Sequence, residues 1–135
     1  MAFQMSVAAR NAMLDAYETA VGTGAVLKIR TGAQPANCAA ADSGTVLATL
    51  PLPSDWMAAA SSGSKAKSGT WQDTSADATG TAAHFRLYAS DGTTCHGQGT
   101  VTVTGGGGDM TVDNTAFAAT QSFTVTSFSL SAGNA

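Results

Sequence analysis

The sequence predicts a mainly β fold: an antiparallel β-sandwich or small barrel of about seven strands with one N-terminal α-helix. Three observations support this fold class. Apolar and polar residues alternate in several short segments after residue 25, as in half-buried strands. Polar turns rich in Gly, Asp and Ser separate these segments. Only the N-terminal residues follow a helical period. We expect one domain over residues 1–135, because domains commonly hold about 100–150 residues.

The helix is expected over about residues 3–21, and Gly22 and Gly24 should end it. Asn11, Asp15 and Thr19 lie away from its apolar stripe. Arg10 falls inside the stripe, where it either pairs with a carboxylate, faces another chain, or extends its charged end to the edge of the apolar face; the last is favoured. Arg10 is therefore a candidate partner contact. The stripe consists of Phe3, Val7, Leu14, Tyr17 and Val21.

The β-sandwich is expected over about residues 25–131. Its clearest strand is "AAHFRLYASDG", in which Phe85 and Leu87 should face inward. The outward residues of that strand should be His84, Arg86 and Tyr88. In the last strand the apolar parity changes after residue 125, which predicts a bulge or bend near residues 126–127.

A run of four glycines, Gly105, Gly106, Gly107 and Gly108, lies between two alternating segments. A phosphate-binding loop would be followed by a helix, whereas here a strand follows. We therefore expect a flexible hairpin tip. The absence of side chains leaves room for a neighbouring subunit, so the four glycines are candidate partner contacts.

The connection over residues 51–64 is long and contains two prolines, Pro51 and Pro53. Trp56 and Met57 in this segment are candidate partner contacts, as an anchor inserted into another protein. The alternative is that both side chains are buried as a lid over the end of the sandwich.

Composition excludes several classes of partner. The six Lys and Arg residues are spread along a chain of formal net charge −3, so no basic patch exists to bind nucleic acid. No segment approaches the ~20 apolar residues that cross a membrane, and no secretion signal is evident, which predicts synthesis in the cytoplasm. Charged residues make up only 11% of the chain. This suits a protein packed against others, and equally a small β protein that is merely poor in charge.

The sequence contains two cysteines, Cys38 and Cys95, which allow one disulfide or two free thiols. Reducing cytosol opposes the disulfide and favours buried free thiols. Cys95 and His96 are adjacent in a strand and point to opposite faces, so they do not form a catalytic dyad. Short paired spacings typical of zinc ligands are absent. Asp73 and Asp77 could hold calcium, but turn capping is the simpler interpretation. We expect no enzyme activity, cofactor or metal.

Four segments carry a family resemblance: "SVAARNAMLDA", "LKIRTGAQPANCAAADSGTVLATLPLPSDWM", "GTWQDTSADATGTAAHFRLY" and "DMTVDNTAFAATQSFTVTSFSL". Together they resemble small virion structural proteins of tailed bacteriophages over nearly the whole chain. The resemblance implies a capsid decoration, or cement, protein that is made in the host bacterial cytoplasm and resides in the virion. Its partners would be the major capsid protein or other virion proteins, and copies of itself, with a trimer as one arrangement. The alternative is a neck, tail or fibre component.

Overall fold

The computed structural model describes residues 3–132, which form a mainly β fold with one N-terminal helix. The predicted fold class is confirmed. The described residues hold more and shorter strands than the sequence predicts. The elements are α1 (Val7–Val21), β1 (Val26–Arg30), β2 (Val46–Pro51), β3 (Ser64–Ala66), β4 (Trp71–Asp73), β5 (Gly80–Thr81), β6 (His84–Tyr88), β7 (Cys95–Val103), β8 (Met110–Val112), β9 (Ala116–Phe117), β10 (Phe123–Val125) and β11 (Ser129–Ser131).

Helix α1 begins at Val7, four residues after the predicted start, because Ser6 caps it. The Ser6 hydroxyl accepts a hydrogen bond from the Ala9 amide at 3.1 Å, which satisfies one of the free N–H groups of the first turn. The helix ends as predicted at Gly22, whose φ of 86° is easily adopted only by glycine. The Gly22 amide donates to the Glu18 carbonyl at 2.9 Å.

The main sheet has five strands in the order β2, β1, β6, β7, β8. Its neighbours are antiparallel except β7 and β8, which pair in parallel with Val101 opposite Met110. Three two-stranded sheets complete the fold: β10 with β4, β11 with β3, and β5 with β9. One face of the main sheet and side chains of the small sheets enclose the hydrophobic core.

Trp56 and Met57 are buried in this core, with 0% and 1% of their surface exposed. The Trp56 indole lies 6.0 Å from that of Trp71, and its N–H donates to the Gly22 carbonyl at 3.1 Å. The apolar ring thus packs in the core while its N–H keeps a hydrogen-bond acceptor. The anchor hypothesis for Trp56 and Met57 is therefore wrong, because both side chains are buried within their own chain and neither is available to a partner.

The last predicted strand forms two short strands, as expected from the change in its alternation of apolar and polar residues after residue 125. β10 pairs with β4 and β11 pairs with β3, and residues 126–128 separate them. Val125 is fully buried, and Phe128 packs against the core with its ring 5.6 Å from that of Phe85. The predicted bend is confirmed, and it returns the later apolar residues to the core face.

Candidate functional site

The face of the main sheet opposite the core is polar and covered. It is lined by alternate residues of neighbouring strands, with Arg30 opposite His84 and Lys28 opposite Arg86. His84, Arg86 and Tyr88 point away from the core, as predicted. They do not reach solvent, however, since all of β6 is buried. The segment that lies over them is residues 31–45, here called the covering loop.

Arg86 holds the covering loop through its guanidinium group. Nη2 donates to the carbonyls of Asn37 at 3.2 Å and Cys38 at 3.0 Å. Nη1 donates to the Ala40 carbonyl at 3.2 Å and to the carboxylate of Asp42. The planar fork of arginine suits several acceptors at once, which a lysine cannot match.

Asp42 is the carboxylate shared by this cluster. Besides Arg86, it accepts hydrogen bonds from the Tyr88 hydroxyl at 2.7 Å and from Arg30 Nη2 at 3.1 Å. Burial alone would raise the pKa of Asp42, but the hydrogen bonds of Tyr88 and Arg86 and the charge of Arg30 outweigh it and lower that pKa below 3.8. The covering loop is thus fixed by an ionised carboxylate.

Two further side chains of the sheet bind the loop backbone. Gln98 donates to the Pro35 carbonyl at 2.7 Å, and His84 Nδ1 donates to the Gly32 carbonyl at 2.8 Å. Burial, with the charges of Arg30 and Arg86, lowers the pKa of His84 below 6.5. The hydrophobic core of the described chain includes no residue of the covering loop. Polar contacts therefore carry the attachment of this loop.

Cys38 of the covering loop and Cys95 of β7 are free, half-buried thiols, and Cys95 lies opposite Tyr88 on the sheet face that this loop covers. Burial, followed by hydrogen bonding to Cys95, raises the pKa of the Cys38 thiol above 9.0. Cys95 also donates to the Gly97 carbonyl at 3.3 Å. Within residues 3–132, no group of three His, Cys, Asp or Glu side chains is arranged to hold a metal ion.

Asp73 and Asp77 cap backbone and side-chain groups. Asp73 accepts from the amides of Thr49 and Ser75, each at 2.9 Å, and Asp77 accepts from the Thr49 hydroxyl at 2.7 Å. Only the contact of Asp73 with Ser75 is a turn cap, whereas the contacts with Thr49 join both aspartates to β2.

The glycine run does not form the tip of an antiparallel hairpin, because β7 and β8 are parallel. After β7 the chain folds back over it. The Gly108 amide donates to the Thr102 hydroxyl at 3.0 Å, and Asp109 accepts from the Thr100 amide at 2.9 Å. A Cβ at Gly106 or Gly108 would meet Thr102 at 2.7 or 2.8 Å. These two glycines make room for the chain's own strand, whereas a Cβ at Gly105 or Gly107 would meet no atom within 4 Å.

The polar face of α1 contacts the rest of the chain, which the sequence does not predict. Asn11 accepts from the Gly63 amide at 2.9 Å, and Asp15 accepts from the Ala60 amide at 3.0 Å. Lys65 is 2% exposed and lies 2.7 Å from both Asp15 and Glu18. The sequence alone gives no sign of this buried lysine, because the contact between β3 and the helix is formed only in the folded chain.

Arg10 also lies against its own chain. Its guanidinium group donates to the Ala132 carbonyl at 3.4 Å, and a Cβ at Gly63 would meet it at 2.3 Å. Arg10 is half-buried, so part of its surface stays open to a partner.

Large apolar side chains are exposed at two places. Phe3, Val7 and Met13 lie on or just before α1, with exposed fractions of 86%, 47% and 53%. Val103 is 46% exposed and ends β7, next to the glycine run. Burial of exposed apolar side chains against another protein removes apolar surface from water, which is favourable. These four residues, at two separate places, are together called the apolar contact surface.

The charged side chains are distributed unevenly. Arg30, Lys65 and Arg86 are buried, and the other three basic residues, Arg10, Lys28 and Lys67, are half-buried. Most of the nine carboxylates are exposed. The protein therefore presents negative charge to solvent.

Comparison with known proteins found no matching family model, no matching curated protein and no matching solved structure. Among residues 3–132, no helix has the length and apolar character needed to cross a membrane.

Proposed function

We propose that this chain is a non-enzymatic virion structural protein of a tailed bacteriophage, a capsid decoration protein that binds the outer lattice of the head and stabilises it. It resides in the virion, and its partners are the major capsid protein and neighbouring copies of itself. A position in the neck, tail or fibre is the second candidate, supported by the same resemblance to virion proteins.

The observation that carries this proposal is the apolar contact surface. Three of its residues lie on or just before the helix and one lies beside the glycine run, two of the regions that the sequence suggests as partner contacts. In the third region, the side chains of Trp56 and Met57 are buried. Phe3 is the most exposed of the four, and its burial against another protein would be favourable by up to about 2 kcal/mol.

A decoration protein can bind strongly through weak contacts. Many copies on a repeating lattice act together, because each engaged neighbour raises the effective concentration of the next contact. The small content of charged residues, 11%, reduces the cost of removing the surface from water. Both features support a protein that is packed against others.

Cryo-electron microscopy of particles produced by the genome that encodes the chain tests the proposal. Density for this fold repeated over the capsid shell would support the decoration role. Density confined to the neck, tail or fibres would replace that role with the second candidate. Absence of the chain from purified particles would overturn both.

A matched pair of helix variants tests the contact surface. Met13→Ser removes an exposed apolar side chain, and Ala16→Ser introduces the same residue at another exposed position of α1. We expect Met13→Ser to lower occupancy on particles while Ala16→Ser does not. Equal occupancy for both variants would remove Met13 from the interface.

A further inference from the structure

Three elements meet around the two thiols. Cys38 lies in the covering loop, where its carbonyl accepts a hydrogen bond from Arg86 Nη2 at 3.0 Å. Arg86 belongs to β6, which pairs with β7 so that Tyr88 lies opposite Cys95. Tyr17 of α1 reaches the same place, and its hydroxyl donates to the His96 carbonyl at 2.9 Å. The loop and the sheet beneath it thus each contribute one cysteine.

Both thiols are half-buried, so a small reagent can reach them. Cys95 lies opposite Tyr88, whose hydroxyl donates to Asp42 of the covering loop, so Cys95 is on the sheet face that this loop covers. Burial, and then Cys95, raises the pKa of the Cys38 thiol. The thiolate is the reactive form, so exchange is faster at mildly alkaline pH.

We propose that Cys38 and Cys95 form a reversible disulfide that ties the covering loop to the main sheet when the chain meets a small disulfide oxidant. The inference is independent of the proposed function, because it rests only on the position of the two cysteines. A reducing cytosol keeps the thiols free during synthesis, and the disulfide forms in an oxidising environment.

The oxidant belongs to the class of low-molecular-weight disulfides, such as oxidised glutathione. One cysteine thiolate attacks a sulfur of oxidised glutathione, forming a mixed disulfide and releasing one glutathione thiolate. The second cysteine thiolate attacks the protein sulfur of that mixed disulfide and releases the second glutathione. One S–S bond forms between Cys38 and Cys95, and the two cysteine protons go to the two glutathione thiols.

The consequence follows from how the covering loop is attached. Arg86 and Gln98 of the sheet hold it by polar contacts, Arg86 in part through Asp42 of the loop, and none of the loop residues belongs to the hydrophobic core described above. Hydrogen bonds can open one by one, whereas a covalent bond cannot. Closing the long loop between the two cysteines lowers the equilibrium constant for unfolding by roughly a thousandfold in the chain-entropy estimate.

Intact mass of the purified chain tests the bond itself. After incubation with excess oxidised glutathione at mildly alkaline pH, we expect the mass to fall by two hydrogen atoms, and peptide mapping to find Cys38 joined to Cys95. Two glutathione adducts, two free thiols or only disulfides between chains would overturn the proposal.

Hydrogen exchange tests the attachment of the loop. Amides of residues 33–45 should exchange more slowly in the oxidised chain than in the chain reduced with dithiothreitol. Cys38→Ser and Cys95→Ser, each treated with the same oxidant, should show no such change. An oxidised chain whose loop amides exchange as fast as in the reduced chain would overturn the role of the disulfide in holding the loop.

Discussion

At the scale of single residues, the glycine run shows that a close contact between two segments of the chain can leave room only for glycine. Gly108 lies against Thr102, and a Cβ there would meet the Thr102 methyl and hydroxyl groups at 2.8 Å and its backbone nitrogen at 3.1 Å. At Gly105, with a φ of 86°, a Cβ would meet nothing within 4 Å. One position is restricted by space and the other by backbone conformation.

Gly108→Ala should therefore lower the free energy of unfolding by about 1–3 kcal/mol, the usual cost of overpacking. In a Thr102→Ala background the cost of the same change should be smaller, because two of the contacting atoms are gone. Gly105→Ala is the control: its cost, about 1–2 kcal/mol from the left-handed conformation, should not depend on Thr102. Urea unfolding measures the cost of Gly108→Ala and of Gly105→Ala, each with Thr102 present and in the Thr102→Ala background. An equal cost of Gly108→Ala in both backgrounds would contradict the packing argument.

At the scale of elements, local pattern predicts an element better than it predicts what that element contacts. Alternation identifies β6 because the period of a strand is local, and glycine marks the end of α1 for the same reason. It does not show that His84 and Arg86 are covered, because polar residues on an outward face are normally solvated. The parallel pairing of β7 with β8 is equally hidden, since parallel neighbours usually need a longer connection.

The attachment of α1 gives the prediction at this scale. Lys65→Met keeps the volume but removes the cation between Asp15 and Glu18, each 2.7 Å from its Nζ. Because both carboxylates are partly exposed, we expect a loss of about 2 kcal/mol in the free energy of unfolding, below the range for a fully buried pair.

Lys67→Met is the matched control. Its Nζ donates to the Gly69 carbonyl and lies 5.7 Å from the Trp71 ring centroid, and it pairs with neither helix carboxylate. Lys67→Met should lower the free energy of unfolding by less than about 1 kcal/mol. Denaturant unfolding followed by circular dichroism compares the two, and equal losses would show that the ion pairs do not hold the helix.

At the scale of the whole molecule, stability should be greatest over a broad range of pH. The hydrogen bond from Lys65 lowers the pKa of Asp15, the contacts of Asp42 outweigh its burial and lower its pKa, and the Thr94 hydroxyl lowers that of Asp91. Carboxyl groups with lowered pKa values stabilise the fold above their ordinary value of 3.8, and this contribution is lost as the pH falls below it. Burial raises the pKa values of Tyr17 and Tyr88 to about 12.

The tyrosine contribution has the opposite sign. It is present below the ordinary pKa of 10.0 and is lost as the pH rises through about 12. The lowered pKa of His84 and the raised pKa of the Cys38 thiol act in the same way, so that stability also falls as the pH drops below 6.5 and as it rises above 9.0. The melting temperature should therefore be greatest between pH 6.5 and 9.0, fall further below pH 3.8, and fall again between pH 10.0 and about 12. The chain has only two tyrosines, so ultraviolet absorbance titration reads both phenols directly, and Tyr17→Phe leaves Tyr88 alone. A phenol that ionises near 10.0 in the folded chain would contradict the burial described for it.

The inward placement of the basic side chains has a consequence for how copies of this protein meet. Every lysine and arginine is buried or half-buried, and most carboxylates are exposed. The negatively charged surfaces of two copies therefore repel each other. Added electrolyte shortens the range of that repulsion to about 10 Å at 0.1 M. Rising ionic strength should therefore promote, rather than weaken, contact between copies of the protein.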